Sequence, residues 1–177
     1  MGRRLISTLF VAALFQFGCT CTKNADKAGG LEGQAGSMII ETDHGQIEIE
    51  FYHKDAPQTV ARIQELVKSG FYNGLTFHRV VPGFVVQGGD PNGNGTGGSG
   101  TKLKAEFNAQ KHVEGTVAMA RAQDVNSADS QFYISLGTHP HLDNSYTVFG
   151  RVVKGMEHVK AIKPGDKMKS VTLKAGA

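Results

Sequence analysis

The sequence predicts a mainly β protein, in which many short strands form a closed or nearly closed barrel and two helices lie between them. Strand-like apolar runs recur along most of the chain between glycine-rich turns, whereas only two segments have helical spacing. The composition agrees, because 23 glycines and 8% aromatic residues without tryptophan favour a loop-rich β protein over a helical bundle. A chain of 177 residues with 40% hydrophobic residues can bury one core.

The first 18 residues have the three parts of an export signal peptide. Residues 1–4 are basic, residues 5–17 are nearly all apolar, and Gly18 precedes Cys19. The apolar run is shorter than the ~20 residues that span a bilayer, so we expect a removed leader rather than a transmembrane helix. A small residue directly before a cysteine resembles the lipobox of bacterial lipoproteins, although Gln16 stands where leucine is usual. The resemblance implies lipidation of Cys19 and a protein anchored in the cell envelope, facing the periplasm or the outer surface.

A tether is expected between the leader and the folded domain. Residues 19–37 are polar and glycine-rich without apolar periodicity, and the domain is predicted to cover residues 38–177. Both cysteines, Cys19 and Cys21, precede the domain, which therefore has no disulfide. The formal net charge is only +3 at pH 7, so there is no electrostatic case for a nucleic-acid partner.

The domain is predicted to open with a hairpin and an amphipathic helix. Two alternating apolar runs in residues 38–52 flank the turn residues 43–45. Asp55 and Pro57 fit the N-cap and first turn of a helix whose apolar spacing continues until Gly70. Further strands are expected at residues 75–81, 84–88, 115–120, 131–136, 147–153 and 170–174, with a shorter helix at 156–162.

A glycine-rich segment at residues 88–100 contains a formal G-x-G-x-x-G pattern at Gly93, Gly95 and Gly98. A dinucleotide-binding fingerprint must open a helix directly after the glycine turn, and the sequence that follows is too poor in periodic apolar residues. No G-K-[ST] follows either, which excludes a P-loop. We predict a glycine-rich surface loop.

The histidines give weak support for a metal site. His139 and His141 form an H-x-H pair that would need a further ligand to hold zinc, and the proline between them favours a loop. A hydrolase is not supported, because the domain has no G-x-S-x-G motif and no cysteine. We therefore expect no metal and no cofactor. Four other histidines lack a partner at ligand spacing and are predicted to lie on the surface: His44, His53, His112 and His158.

One arginine stands among apolar residues. Arg79 is flanked by Phe77 and Val80 in a run that has the pattern of sheet core, where an unpaired charge is expensive. A structural arginine satisfied by backbone carbonyls is one interpretation. The neighbouring sequence supports a second interpretation, in which the arginine has a functional role.

Five blocks of the sequence follow one another in a set order: FHRVVPGFVVQGGD, GTGG, GTVAMARA, SADSQFYISL and HLDNSYTVFGRV. Their order and spacing closely resemble the cyclophilin family of peptidyl-prolyl cis-trans isomerases, in the compact bacterial form, over residues 38–177. The resemblance implies a closed eight-stranded antiparallel β-barrel with two capping α-helices. It also implies a monomer that needs no cofactor, acts on proline-containing polypeptides and assists the folding of exported proteins.

The resemblance also assigns roles to residues. It makes Arg79 the catalytic arginine, with Gln87 beside it contacting the substrate backbone. Ala120, Arg121 and Gln131 would border the neighbouring groove, which holds the residues before the proline. The proline pocket would be lined by Phe84, Val85, Met119, Tyr133, Leu142 and Tyr146.

Four substrate-binding positions depart from residues common in the family. His141 stands where many eukaryotic members have a tryptophan important for cyclosporin binding, which puts sensitivity to that drug in doubt. Tyr146 replaces histidine, Tyr133 replaces phenylalanine and Val85 replaces methionine. We expect these changes to tune substrate choice more than abolish activity.

An arginine suits this reaction because no bond has to be cleaved. Rotation about an X-Pro bond faces a barrier of ~18–20 kcal/mol, since it breaks amide resonance. The twisted proline nitrogen gains a lone pair, which a fixed N–H donor stabilises only in that state. Two alternatives stay open at this point. One is a proline-peptide-binding chaperone or adhesin module with little turnover, and the other is a metal-binding envelope protein that uses His139 and His141.

Overall fold

The computed structural model describes Gly2 and residues 35–176. Apart from Gly2, the predicted signal peptide lies outside the described residues, as do Cys19 and most of the tether. Within residues 35–176, no helix is both long and apolar enough to cross a membrane. The described strands are β1 Ala35–Thr42, β2 Gly45–Phe51, β3 Arg79–Val81, β4 Val85–Gly88, β5 Thr116–Met119, β6 Phe132–Ser135, β7 Val148–Lys154 and β8 Ser170–Ala175. The helices are α1 Pro57–Lys68 and α2 Met156–Ala161, with a 3-10 helix at Pro140–Leu142.

The strands form one antiparallel sheet that is open, which corrects the predicted closed barrel. The strand order is β3-β4-β6-β5-β7-β2-β1-β8, so β3 and β8 are the two edges and do not pair. Only the isolated bridge between Thr76 and Lys167, with a few neighbouring backbone hydrogen bonds, crosses the gap in the described chain. Pro164 has no N–H to donate and Gly165 has a φ of 94°, so the chain before β8 turns instead of extending the ladder. The sheet is therefore a half-barrel.

Most predicted elements are present with ends that differ by a residue or so, and β1 begins three residues before the predicted domain start. The exception is the strand predicted at residues 75–81, of which only Arg79–Val81 forms ladder pairs. Gly70 and Gly74 have φ of 73° and 79°, so the connection from α1 to β3 is a succession of turns. Its backbone bonds instead with residues 165–168.

Helix α1 has its N-terminus capped from a distant part of the chain. Its N-cap is Ala56, one residue after the predicted Asp55, and the Ala56 side chain makes no capping bond. The carboxylate of Glu106 accepts the backbone N–H groups of the second and third helical residues, at 3.0 and 2.8 Å. A carboxylate in this place satisfies otherwise unpaired N–H groups and complements the helix dipole.

Replacing Glu106 with alanine is expected to lower the free energy of unfolding by about 1–2 kcal/mol, because α1 loses its cap. Urea denaturation measures this loss. The matched control is Glu114→Ala, which removes an exposed carboxylate 2.8 Å from Lys160 and is expected to cost less than about 0.5 kcal/mol. Equal losses in the two variants would contradict the capping role.

The sheet buries apolar side chains on both faces. Along β6, Phe132 and Ile134 belong to the inner core against the helices, while Tyr133 between them points to the outer face. Along β5, Met119 points inward and Ala118 outward. Continuous burial along these strands follows from this two-sided packing. The buried outer cluster consists of Val85, Ala118, Tyr133 and Val148.

Candidate active site

A row of side chains crosses the outer face of four neighbouring strands. Arg79 on β3 is paired with Gln87 on β4, Gln87 with Tyr133 on β6, and Tyr133 with Ala118 on β5. Directly opposed residues in antiparallel strands have Cβ atoms about 4.5–5.5 Å apart. The strand register therefore brings residues from distant parts of the sequence onto one surface.

The turn between β3 and β4 places an aromatic ring beside this row. Pro82 and Gly83 form the turn, Gly83 has a φ of 71°, and the N–H of Phe84 donates to the carbonyl of Val81 at 2.9 Å. Proline followed by a glycine with positive φ is typical of a type II turn. The turn brings the Phe84 ring centroid to 5.9 Å from Cζ of Arg79.

An open cavity of about 220 Å³ lies above the row. The rings of Tyr133 and Tyr146 meet edge to face on one side of it, with centroids 5.8 Å apart. The structure thus brings together most of the residues that the resemblance placed in the pocket. The lining residues are Arg79, Phe84, Val85, Gln87, Ala120, Arg121, Tyr133, Leu142 and Tyr146.

The Arg79 side chain is exposed, so it is not a structural arginine buried among backbone carbonyls. Since β3 is an edge strand, the alternation of side chains turns Arg79 outward even though its sequence neighbours are apolar. Its Nη1 donates to Oε1 of Gln87 at 3.3 Å. No carboxylate of the described residues forms an ion pair with it. Its remaining N–H groups are free to meet a ligand.

A chain of amides fixes the orientation of Gln87. Its Nε2 donates to Oε1 of Gln131 at 3.0 Å. The Nε2 of Gln131 donates in turn to the carbonyls of Gly95 and Gly97, at 3.0 and 2.8 Å. Because each amide accepts on one side and donates on the other, the carbonyl oxygen of Gln87 is held toward Arg79.

The glycine-rich segment is a surface loop, as predicted, and the carboxylate of Asp90 organises it. That carboxylate accepts the backbone N–H groups of Asn92 and Asn94 at 2.9 Å, and also that of Gly95. Burial raises the pKa of Asp90, but these three donors outweigh it and leave the pKa below its ordinary value. The loop is therefore held by an ionised side chain beneath it.

This loop forms one wall of a second cavity, of about 200 Å³, which shares Gln87, Ala120 and Arg121 with the first. This wall could not be predicted from the sequence, because glycine and threonine carry no chemical signal of a binding site. Gln131 lines this cavity rather than the first. The other lining residues are Gly95, Thr96, Gly97, Lys102, Ala122, Ser127 and Asp129.

Arg121 borders both cavities, yet backbone carbonyls occupy its guanidinium. Its Nε and Nη2 donate to the carbonyl of Ser145 at 3.2 and 3.0 Å, and its Nη1 donates to those of Ala122 and Gln123 at 2.9 and 3.2 Å. Its Cζ also lies 4.7 Å from the ring centroid of Tyr146. Arg121 thus fastens the segment that carries Tyr146.

Two residues that the resemblance placed at the substrate site, Met119 and His141, line neither cavity. Met119 is 1% exposed in the inner core, because the alternation along β5 turns it away from the outer face. The His141 ring is stacked with that of Phe84, at 6.1 Å between centroids, without lining the cavity.

His139 donates from Nε2 to the Phe84 carbonyl at 3.0 Å. In residues 35–176, no cluster of three or more His, Cys, Asp or Glu side chains is placed to hold a metal ion.

His112 is buried, which corrects its predicted place on the surface. Its Nδ1 lies 3.1 Å from Oδ1 of Asp143, and its Nε2 lies 2.9 Å from the hydroxyl of Tyr133. No sequence spacing announces this contact, because His112 and Asp143 are 31 residues apart. The other three histidines expected on the surface are half-buried: His44, His53 and His158.

Comparison with known proteins agrees with this geometry. Residues 37–175 match the family model described as cyclophilin type peptidyl-prolyl cis-trans isomerase/CLD. A protein of Synechococcus elongatus named peptidyl-prolyl cis-trans isomerase is 45% identical over 137 residues, which are 76% of this chain and 94% of the relative. Peptidyl-prolyl cis-trans isomerase B of Bacillus subtilis is 46% identical over 140 residues, 78% of this chain and 96% of the relative.

Solved structures show the same similarity. The crystal structure of a cyclophilin type peptidyl-prolyl cis-trans isomerase of Cryptosporidium parvum, in the presence of the dipeptide Ala-Pro, matches with a TM-score of 0.73 and 27% identity. The match covers 79% of this chain and 99% of that chain.

Proposed function

The chain belongs to the family of cyclophilin-type peptidyl-prolyl cis-trans isomerases and catalyses rotation about X-Pro peptide bonds, and we propose that the cavity around Arg79 is its active site. The observation that carries this proposal is the exposed Arg79 guanidinium at the rim of an aromatic cavity, with no carboxylate paired to it in the described chain. A guanidinium neutralised by a carboxylate would be a poor donor to a developing lone pair.

Arg79 is proposed to act on the twisted state of the peptide bond. As the bond rotates, the proline nitrogen becomes pyramidal, and an N–H of the guanidinium donates to its lone pair. The ground-state amide nitrogen offers no such lone pair, so this hydrogen bond forms only in the transition state. The guanidinium stays protonated and presents its donors in a rigid fork. Gln87 accepts from one of them and thereby steadies the others.

The cavity walls are proposed to hold the pyrrolidine ring while the residue before it swings. Phe84, Leu142 and the two tyrosine rings supply apolar surface around a space of about 220 Å³. The second cavity, bordered by Ala120 and Gln131, would take the side chains that precede the proline. The amide chain from Gln131 to Gln87 links the two spaces.

The location of the site can be tested by titrating ¹⁵N-labelled protein with a short Ala-Pro peptide. We expect the largest amide shifts in residues 79–87 and 131–146, because these segments line the cavity. Shifts confined to β1, β2 and β8 would contradict the location.

The catalytic efficiency is expected to be constant from neutral pH upward, since no proton is transferred in the reaction. Two histidines close to the site have a pKa below the ordinary value: burial lowers the pKa of His78, which precedes Arg79, and burial likewise lowers that of His112, which contacts Tyr133. A lowered histidine pKa keeps the ring neutral until the pH falls further into the acid range. A profile of kcat/KM against pH measures this, and a bell centred near neutrality would instead implicate a titrating group such as His78.

We also propose that the enzyme acts in the cell envelope. The basic and apolar leader and the Gly18-Cys19 junction support export and lipidation of Cys19. Envelope proteins that fold after export would then be the proline-containing substrates. Mass spectrometry of the protein from an envelope fraction should find a lipid-modified N-terminal Cys19, and Cys19→Ser should release the protein from the membrane. An unprocessed chain that begins at Met1 would contradict the proposal.

A further inference from the structure

We propose that His112 is a positioning residue for the proline pocket, which holds the hydroxyl group of Tyr133 in a relay formed by Asp143, His112 and Tyr133. The inference rests on the proposed active site, because Tyr133 lines that cavity. His112 itself does not reach the cavity, since its side chain is fully buried. It acts through the tyrosine.

The direction of the relay follows from Asp143, whose carboxylate only accepts hydrogen bonds. It accepts the backbone N–H of His112 at 2.8 Å, and Nζ of Lys111 lies 3.2 Å from its other oxygen. The backbone N–H of His112, its ring and Lys111 together hold the pKa of Asp143 at about 2, so the carboxylate is ionised at neutral pH. The ring Nδ1 of His112 lies 3.1 Å from this carboxylate, so it must carry a hydrogen and donate a hydrogen bond to Asp143.

A neutral imidazole with its proton on Nδ1 has a lone pair on Nε2. Tyr133 lies 2.9 Å from that nitrogen and therefore donates its O–H to it. The single proton of the phenol is used inside the protein and is not available to a ligand. Tyr133 thus presents its ring to the substrate as an apolar wall, even though it carries a hydroxyl.

His112 also contacts both aromatic walls through its ring. It is stacked with Tyr133 at 6.1 Å between centroids and meets Tyr146 edge to face at 6.4 Å. Because the groups are close-packed, a displaced imidazole moves both tyrosines. The expected consequence of a broken relay is a pocket that binds the proline less well.

Protonation of His112 would place a second N–H on the ring, opposite the O–H of Tyr133. Two donors cannot share one hydrogen bond, so the phenol would have to turn its proton away from His112 and accept instead. Burial opposes this protonation, Asp143 favours it, and His139 and His141 oppose it. The relay should therefore break only in acid. The remaining ionisable groups around it are Lys111, Arg121 and Tyr146.

The first test measures KM and kcat separately for Tyr133→Phe and His112→Asn. Both variants are expected to raise KM about three- to tenfold, the equivalent of one lost buried hydrogen bond, with kcat close to the wild-type value. The double variant should have the same KM as the single ones, because all of them break the same relay. The control is His44→Asn, which removes another histidine–carboxylate pair, at 2.7 Å from Asp166, that lines neither cavity; its KM should not change.

A merely structural His112 would reduce the folded fraction and hence the apparent kcat, with KM unchanged. If Arg79→Ala is inactive while Tyr133→Phe keeps the wild-type KM, the relay is wrong and the active site stands. If Arg79→Ala keeps full activity, the active site itself is wrong.

The second test uses the wild-type protein and does not depend on how variants fold. The ¹⁵N chemical shifts of the His112 ring should show a protonated Nδ1 and an unprotonated Nε2 at neutral pH. On acidification, KM should rise in the wild type and not in Tyr133→Phe, which retains every histidine. A ring protonated on Nε2 at neutral pH would overturn the proposal.

Discussion

Replacing Arg79 with alanine is expected to lower kcat/KM for an X-Pro peptide by about 10²–10³, since one preorganised transition-state donor is worth about 2.7–4 kcal/mol. The loss should appear in kcat more than in KM, because the bond to the twisted nitrogen is absent from the ground state. The fold should be unaffected, since the exposed Arg79 side chain makes only one hydrogen bond in the described chain, to Gln87. A protease-coupled assay on a proline peptide measures the rate, and circular dichroism checks the fold.

Two further variants make the result specific. Arg151→Ala removes an exposed arginine from β7 that lines neither cavity and should leave kcat/KM unchanged. Arg79→Lys keeps the positive charge but loses the rigid fork of donors, so its activity should lie between those of the alanine variant and the wild type. Wild-type turnover by Arg79→Ala would show that the guanidinium is not the donor. That result would agree with a proline-peptide-binding module, which has little turnover and does not need the guanidinium.

Replacing Phe132 with alanine is expected to lower the free energy of unfolding by about 3–5 kcal/mol, because it leaves a cavity in the inner core. Phe132 is 1% exposed and meets Tyr72 and Phe149 edge to face, at 5.7 and 6.4 Å between centroids. Urea denaturation followed by circular dichroism measures the loss.

The matched control is Phe107→Ala, at a residue that is 43% exposed, with an expected cost below about 1 kcal/mol. The comparison bears on the active site because Phe132 and Tyr133 are neighbours on β6. A shift of one residue in register would exchange their faces and remove Tyr133 from the cavity. Equal losses of unfolding free energy for the two variants would contradict the placement of Phe132 on the inner face of β6 and of Tyr133 on the outer face.

Local patterns predicted much of the fold. Alternating apolar residues located the β1–β2 hairpin, and helical spacing between Pro57 and Gly70 located α1. The cap of α1 could not be found in this way, because Glu106 comes from a segment 48 residues away from the N–H group it accepts. The open edge could not be found either. It depends on how Gly165 and Pro164 turn the chain before β8, and a list of strands contains no such information.

For the site, too, the sequence predicted some features and not others. The ordered blocks of sequence placed Phe84, Gln87 and Leu142 around one cavity with Arg79. They did not separate the two faces of β5, where Ala118 and Met119 look equally apolar in the sequence but point to opposite sides of the sheet. Contacts between distant polar residues, such as His112 with Asp143, exist only once the chain is folded. Sequence position alone gives no signal for them.

The role of Arg79 in the twisted state can be measured by following peptide binding and cis-trans exchange in one NMR sample. For Arg79→Ala, we predict a Kd for an X-Pro peptide close to that of the wild type, since the donor acts only in the transition state. At equal occupancy, the exchange rate between the cis and trans peptide signals should fall by about 10² or more. An Arg79→Ala protein that binds the peptide and exchanges it as fast as the wild type would contradict the proposed mechanism.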